Sequence, residues 1–406
     1  MKLKVLMFGC LVAPLLSLAG GFQINTQGQK STSMGGSVSS IALDGSVVFY
    51  NPGALAFIEH SYLNAGVSLI VPKTSFLGPT GVKESMPGQM YTPFSVYAAY
   101  AWKPKVNIGL AINTPFGLGT KWDSNWSGRY ITQEAKLNAI NIQPTLSYKI
   151  NDQLSIGVGP MIVLGNADLT KALPYTSSAG DAVVELKGTG TSIGANAGIN
   201  FVRGNFALGV AYRTATKIDI SSGDASFTNV PSSLLQNGTI PSSASFETSV
   251  TLPSVISVGL AYHITPKVLA TLEMNYTGWN VYDSLNFVFS DNAQLDSRQA
   301  RNYKNAMAIR AGIQYKKTER ITLRAGLAFD QTPVQDGYVS PELPDANRLI
   351  YAAGFSYRLK GNFSADFSLM YENVKERKEV DNMQTNFNGT YKTNLVVGGL
   401  GLQYEF

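Results

Sequence analysis

The sequence predicts an all-β protein, a 14-stranded antiparallel transmembrane β-barrel whose lumen is plugged by an N-terminal segment. Three observations carry this prediction. Only 15% of the 406 residues are charged, against about 25% in an ordinary soluble domain. Apolar residues recur at every second position in several long runs, and short turns alternate with long polar connections. Together these features are typical of a membrane barrel rather than a soluble sandwich.

Residues 1–19 have the pattern of an export signal. Two lysines precede an apolar run over residues 5–18, and Ser17-Leu18-Ala19 supplies the small residues that a signal peptidase recognises. We predict cleavage after Ala19. A short buried or membrane helix is the alternative, but the run is below the ~18 residues that span a bilayer, and Pro14 interrupts it.

The runs of alternating hydrophobicity define the strands. In residues 321–330 the odd positions are apolar and the even positions are small or polar. This period of two is typical of a strand with one apolar face. The same pattern recurs in residues 256–262, 307–315, 363–371 and 400–406. Many runs reach the ~9 to 11 residues that a tilted membrane strand needs. We therefore predict that the barrel occupies residues 60–406.

The connections between the runs are of two kinds. Six short polar turns occur at residues 103–105, 151–152, 203–204, 265–267, 318–319 and 361–362. Seven longer polar connections lie near residues 73–89, 117–130, 172–182, 221–245, 283–301, 331–346 and 377–387. The two kinds alternate throughout, which predicts fourteen strands with both ends of the barrel chain on the short-turn side, as in bacterial outer-membrane barrels.

Composition excludes several classes of function. The formal net charge of +5 is small and scattered, which does not suggest a nucleic-acid surface. One cysteine, Cys10, and two histidines, His60 and His263, are too few for a disulfide scaffold, a Cys/His zinc site or a Cys-His nucleophile pair. A Ser-His-Asp triad has the residues it needs but no motif in support. We expect no catalytic, metal or cofactor site.

Aromatic residues mark the predicted membrane boundary and the end of the chain. Those with outward parity cluster beside the short turns, at Trp102, Tyr148, Phe206, Tyr262, Tyr315, Tyr357 and Phe363. This distribution favours an aromatic girdle, although aromatics are common in strands generally. The terminal Tyr404-Glu405-Phe406 resembles the signal by which the barrel-assembly machinery recognises outer-membrane proteins, so Tyr404 and Phe406 are predicted contacts of that machinery.

Residues 20–59 precede the first alternating run and are rich in Gly and Ser. A segment of this length would be a loose tail in the periplasm or a plug in the lumen. Two of its motifs, residues 21–25 and 44–55, resemble the hatch of the FadL-type (FadL/TodX) outer-membrane transporters. The resemblance continues in residues 115–118, 126–130, 329–334 and 344–348 and in the last strand. The chain departs from the family at Gly53-Ala54, where Ala then Gly usually follows Asn-Pro.

The resemblance implies a channel for long-chain fatty acids and other hydrophobic compounds in the Gram-negative outer membrane. In such a channel the hatch, here residues 20–59, blocks the lumen. The ligand is captured among the outer loops, passes to an inner site beside the start of the hatch, and leaves sideways through a gap beside a kinked strand. Each CH₂ that leaves water for an apolar surface stabilises the bound ligand by about 0.8 kcal/mol. The expected surroundings are outer-membrane lipid and lipopolysaccharide, and the expected state is a monomer.

Two sites in the hatch are candidates. Asn51-Pro52-Gly53 is a turn sequence, but its place in the hatch suggests a latch that joins the plug to the wall. Phe22 is predicted either to occupy the inner ligand site or to act as a hydrophobic anchor.

Two further sets of residues are candidate ligand contacts. The outer-loop apolar residues are expected to form a capture groove or to pack on one another: Phe116, Leu118, Trp122, Trp126 and Tyr130. Three arginines with inward parity, Arg213, Arg310 and Arg324, could bind a carboxylate or simply neutralise acids in the lumen.

Two alternative functions remain open from the sequence. An open aqueous porin or a surface adhesin would be favoured if residues 20–59 lay outside the lumen. An outer-membrane hydrolase would need a serine at the lumen rim paired with His60 or His263, and His263 lies beside a predicted periplasmic turn. The sequence names neither the ligand nor the strand beside the lateral gap.

Overall fold

A computed structural model describes residues 20–406, so the predicted export signal lies outside the described residues. In this part of the chain one antiparallel sheet forms a barrel of fourteen strands, labelled β1 to β14 in chain order. They are Tyr62–Leu77, Phe94–Lys103, Val106–Lys121, Glu134–Lys149, Leu154–Ser177, Gly180–Arg203, Phe206–Arg213 continued by Thr216–Thr228, Ser243–Leu252 continued by Val255–Thr265, Val268–Thr277, Ala306–Lys316, Ile321–Asp330, Arg348–Arg358, Phe363–Val374 and Gly389–Glu405.

The sheet is closed because β14 pairs with β1 over the whole length of β1, from Tyr62 opposite Glu405 to Leu77 opposite Thr390. Every other wall strand pairs with its neighbour in sequence. The predicted fold class and strand number are confirmed, and all six short turns lie where the sequence places them. Because the closed barrel has no free edge, the backbone N–H and C=O groups of the wall form hydrogen bonds within the sheet. Lipid hydrocarbon offers no partners for such groups.

Smaller elements lie in the hatch and in the long connections. The short strands are Lys83–Ser85, Ser284–Val288, Ser297–Ala300 and Arg377–Glu379. The helices are Gln29–Ser33 (α1), Val47–Tyr50 (α2) and Ser232–Gln236 (α3), with 3₁₀ turns at Ala54–Phe57, Trp279–Val281 and Ala293–Leu295. Within residues 20–406 no helix combines the length and the apolar character needed to cross a membrane.

Alternation of the strand residues separates a lipid face from a lumen face. In β5, Ile156 and Val158 point outward with exposed fractions of 42% and 57%, whereas Ser155 and Met161 point inward and are buried. The seven aromatics predicted beside the short turns are all exposed on the outer face. The lumen face carries many buried polar groups, among them Gln143 and Asn113, so the hatch packs against a largely polar wall.

The predicted long connection at residues 172–182 is wrong. Strands β5 and β6 continue as a 24-residue hairpin and are joined by a tight turn between Ser177 and Gly180. The backbone stays paired out to Ser177 opposite Gly180, with one register shift between Leu173 and Thr176. Beyond the bilayer neither face of the hairpin meets lipid, so the alternation of apolar residues fades while the hydrogen-bonded ladder persists.

The hatch lies inside the barrel and has its own apolar core. Val48, Phe49 and Leu55 are buried and pack with Tyr97 and Ala111 of the wall. A second and larger cluster lies at the outer end, where loop residues pack around Trp279.

Candidate functional site

Asn51-Pro52-Gly53 lies against the inner wall at β5 and β6. The Asn51 amide donates a hydrogen bond to the carbonyl of Ile199 in β6 at 3.2 Å, and another to the carbonyl of Ser39 within the hatch at 2.7 Å. The close approach requires glycine at position 198, because a Cβ there would lie 2.0 Å from Asn51 Oδ1. The residues predicted as a latch therefore contact both the wall and the hatch, while the latch role itself stays a prediction.

A buried acid and a buried arginine hold the middle of the hatch. Glu273 Oε2 in β9 accepts hydrogen bonds from the backbone N–H groups of Val38 and Ser39, each at 2.8 Å. Arg310 in β10 donates to the carbonyl of Gly35 at 3.1 Å. Hydrogen bonds to charged groups contribute about 1.5–3 kcal/mol each, so these contacts fix this part of the plug firmly to the wall.

The first residues of the hatch pair with an irregular part of β3. Pairing between β2 and β3 stops at Asn113, and pairing between β3 and β4 is interrupted between Asn113 and Phe116. At this bulge Ile24 N–H donates to the carbonyl of Pro115, and Gly117 N–H donates to the carbonyl of Phe22, both at 2.9 Å. Proline cannot donate to a ladder, so the bulge occurs at a residue that regular pairing would not accommodate.

Charged residues from the last third of the chain fix the start of the hatch. Gly21 N–H donates to Asp345 Oδ2 at 2.8 Å. Arg348 forms ion pairs with Asp345 at 2.6 Å and with Glu372 at 3.0 Å, and all three side chains are buried. The guanidinium is thus already occupied by two carboxylates.

A cavity of about 390 Å³, here the inner cavity, lies beside this start. Hatch residues 21–26 form one side of it, and Ile70, Leu118, Leu137 and Val397 of the wall form another. It also reaches residues 91–94, which are the end of the connection from β1 and the first residue of β2. The inner cavity therefore touches the hatch and the wall next to the β3 bulge at the same time.

Two more cavities extend from the inner cavity toward the outside. The middle cavity, about 60 Å³, shares Phe22, Leu118, Leu137 and Leu343 with the inner one. The outer cavity, about 380 Å³, shares apolar residues with the middle one, among them Phe287. The three cavities form a mainly apolar series with its narrowest part in the middle.

Phe22 stands in the partition between the inner and middle cavities. Its ring packs edge-on against Trp279, Tyr282 and Phe116, with ring centroids 4.7, 5.6 and 6.2 Å apart. All four side chains are at least 90% buried. Edge-to-face aromatic pairs contribute about 0.5–1.5 kcal/mol each. Phe22 is therefore buried among aromatic rings and also lines both cavities, and its role as ligand contact or hydrophobic anchor stays a prediction.

The predicted capture residues separate into two groups. Phe116 belongs to the Phe22 cluster, and Leu118 lines the inner and middle cavities. Trp122 and Trp126 stack on each other with centroids 4.2 Å apart and line none of the three cavities. Tyr130 is 38% exposed and bonds to Asp181. The two tryptophans are buried and pack on each other in this structure, and their part in ligand capture stays a prediction.

The predicted lumen arginines contact the hatch and the wall. Arg213 donates to the carbonyl of Phe49 at 2.8 Å and lies over the Phe49 ring, and Arg310 holds Gly35 as described above. Arg324 donates to Gln314 and Ser356 of the wall. None of the three lines the inner, middle or outer cavity. Their part in ligand binding stays a prediction without a contact in its favour.

Sequence reasoning missed several residues that line the cavities. Leu343 comes from the connection between β11 and β12 and folds inward, and no periodic pattern marks it. Tyr282 lines the middle cavity, and Trp279 packs on Phe22 beside it. Both lie in the connection between β9 and β10, where an aromatic pair in a polar loop could have served as a signal. Arg301 and Glu342, an ion pair at 2.5 Å, line the middle cavity.

A separate cavity of about 850 Å³ lies at the end of the barrel that carries the short turns, and His263 lines it. His60 lies 3.7 Å from Glu405 at the same end. Both histidines are thus far from the outer cavities. In residues 20–406 no three His, Cys, Asp or Glu side chains gather as a metal ion would require.

Comparison with known proteins gives a consistent result. The family model described as outer membrane protein transport protein (OMPP1/FadL/TodX) matches residues 10–406. The chain is 24% identical to outer membrane protein P1 of Haemophilus influenzae, over 91% of each chain. It is also 24% identical to the long-chain fatty acid transport protein of Escherichia coli, over 87% of this chain and 86% of the other.

Solved structures share the fold. A Pseudomonas aeruginosa FadL homologue superposes with a TM-score of 0.84 at 21% identity, covering 95% of this chain and 99% of the other. The Ralstonia pickettii toluene transporter TbuX superposes with a TM-score of 0.72 at 17% identity, covering 93% and 98%. At these identities the likeness establishes the barrel architecture.

Proposed function

Because the chain belongs to the OMPP1/FadL/TodX family of outer membrane transport proteins, we propose that it is a passive channel for hydrophobic small molecules that the hatch gates and that opens sideways. Members of this family are transport channels of the outer membrane and not enzymes, and the protein is an outer-membrane barrel that transports hydrophobic compounds. The proposal concerns the ligand class, long-chain fatty acids or aromatic hydrocarbons, and the route.

One observation carries the route: the inner cavity is bounded both by hatch residues 21–26 and by residues 91–94 beside the β3 bulge. A ligand there has the plug below it, because Glu273, Arg310 and Asn51 join the hatch to the wall. A straight path through the lumen would require these contacts to break. A sideways path requires only a local change at the wall.

The wall beside the inner cavity is incomplete as a sheet. Above Asn113, β3 has no partner in β2, and the connection before β2 bonds instead to β1, with Ile70 N–H donating to the carbonyl of Tyr91 at 2.8 Å. The Tyr91 side chain fills the space over Gly119, where a Cβ would lie 2.1 Å from the ring. Side chains rather than a backbone ladder close this place, so a rotamer change can open it.

The proposed entry path of the ligand runs through the same cavities. An apolar ligand entering the outer cavity stays in contact with apolar side chains through the middle cavity to the inner one. Each CH₂ removed from water contributes about 0.8 kcal/mol, and the gain is kept at every stage when the next surface is also apolar. A water-filled pore offers no such gain. A porin function is disfavoured because residues 20–59 lie within the barrel.

The test is uptake of radiolabelled oleate and of toluene by outer-membrane vesicles with and without the protein. We expect uptake of at least one ligand to depend on the protein, and passage of small sugars not to. Vesicles from the same strain with an unrelated barrel in equal amount are the control. Free sugar passage without uptake of either ligand would contradict the proposal and indicate a porin.

A further inference from the structure

The cations beside the inner and middle cavities already have partners. Arg348 is held by Asp345 and Glu372, and Arg301 by Glu342. Lys136, which lines both cavities, pairs with Glu134. An anionic ligand at either cavity would have to displace a carboxylate of the protein. These cations balance internal charge and leave little capacity for a ligand.

Two cations at the outer mouth differ from these. Lys171 near the tip of β5 and Arg298 in the connection between β9 and β10 line one further cavity of about 390 Å³, here the rim cavity. Its other side chains include Tyr130, Tyr338 and Asn382, and among the described residues no Asp or Glu lines it. Within residues 20–406 neither Lys171 nor Arg298 forms an ion pair or a side-chain hydrogen bond. Arg301 also lines the rim cavity, but Glu342 holds it, so Lys171 and Arg298 are the cations there without a direct carboxylate partner.

Lys171 also belongs to the apolar series, since it lines the outer cavity together with Leu173, Phe227, Ile240 and Phe289. Its side chain is thus shared by a polar cavity and by one that is mainly apolar, although Glu134, Asp296 and Glu342 also line the latter. Burial lowers the pKa of the Lys171 ammonium, and the nearby Glu342 carboxylate offsets this only in part. A cation in such surroundings gains more from an anion than one in bulk water does.

We propose that Lys171 and Arg298 form an anion-binding subsite at the outer mouth, which takes the ionised head group of an amphiphile while its hydrocarbon chain lies in the outer cavity. The assignment rests on the proposed transport function and narrows it, because the subsite favours carboxylated amphiphiles over neutral hydrocarbons. The two cavities share Ile131, Lys171 and Gln299, so head and chain are bound side by side. Selection takes place at entry, before the ligand reaches the neutralised interior.

The test compares equilibrium binding of sodium oleate and of its uncharged methyl ester to the purified, detergent-solubilised protein. In the variants Lys171→Gln and Arg298→Gln, and in the double variant, we expect the Kd for oleate to rise about tenfold, as loss of a charge-assisted hydrogen bond implies. The Kd for methyl oleate stays unchanged. Lys187→Gln is the matched control, since Lys187 lies in the same hairpin, is exposed and pairs with Glu185.

Three outcomes would overturn the subsite. Unchanged oleate binding in the double variant would show that the two cations take no part in binding the head group. Equal weakening of oleate and its ester would indicate a structural effect on the loops. Binding of purified lipid A that needs Lys171, together with oleate binding that does not, would assign the cations to outer-leaflet lipid. The transport function fails separately, when the wild-type protein takes up neither oleate nor toluene in vesicles.

Discussion

Gly198→Ala is expected to make the barrel leak ions. A Cβ at this position in β6 would lie 2.0 Å from Asn51 Oδ1 and 3.1 Å from Gly53 N, so the methyl group and the hatch turn cannot occupy their places together. Displacing Asn51 breaks the hydrogen bonds from its buried amide to the carbonyls of Ser39 and Ile199. Each buried polar group without a partner costs about 1–3 kcal/mol. A cost of this size raises the equilibrium ratio of displaced hatch to seated hatch about 5- to 150-fold.

The measurement is single-channel conductance in planar bilayers. Gly398→Ala is the matched control, because Gly398 is also a wall glycine, in β14, and a Cβ there would meet no heavy atom within 4 Å. We expect conductance steps from Gly198→Ala and none from Gly398→Ala. If neither variant shows more conductance than the wild type, the contact at Asn51 does not keep the lumen closed.

A disulfide between positions 23 and 116 is expected to stop transport of both ligands reversibly. Gln23 and Phe116 form an isolated antiparallel bridge between the hatch and β3. The bonds from Ile24 to Pro115 and from Gly117 to Phe22 flank it, which makes it a non-hydrogen-bonded pair. Such pairs have Cα atoms about 4.5 Å apart, within the range of about 4.4–6.8 Å that a disulfide spans.

The variant Gln23→Cys with Phe116→Cys would lock the start of the hatch to the bulge, where we infer that the side exit opens. The sole native cysteine, Cys10, lies in the predicted export signal, so no competing thiol is expected after cleavage. Uptake by the double variant should fall to background after oxidation and return after dithiothreitol. Uptake by each single variant should be the same with and without the oxidant. Equal uptake in the oxidised and reduced double variant would show that the ligand leaves without movement of residues 22–24.

The strand pattern was predictable because every wall strand repeats the same physical requirement. Residues 321–330 must present one face to lipid and one to the lumen, and this requirement appears as a period of two in the sequence. Beyond the bilayer the requirement ends, and there the prediction failed: residues 172–182 carry no alternation although β5 and β6 remain paired. Lys171 immediately precedes this stretch, and no pattern in the sequence marks it as a candidate functional residue.

The cavities were less predictable because distant parts of the chain build them. Phe22 comes from the hatch, Leu137 from β4 and Leu343 from a connection some 200 residues later in the sequence, and their meeting depends on closure of the barrel. Inward parity placed Arg310 in the lumen correctly. It could not show that the hatch carbonyl of Gly35 and the side chain of Asn25, rather than a ligand, would occupy the guanidinium.

The central claim is that hydrophobic ligands cross the outer membrane while the lumen stays closed. The most direct test records ionic conductance through the wild-type protein in a planar bilayer while oleate or toluene is supplied at a concentration that gives protein-dependent uptake in vesicles. We expect uptake to proceed with no conductance above that of the bare bilayer. Conductance steps that appear with the ligand and disappear on its removal would show that the hatch leaves the lumen and that the ligand passes straight through the barrel.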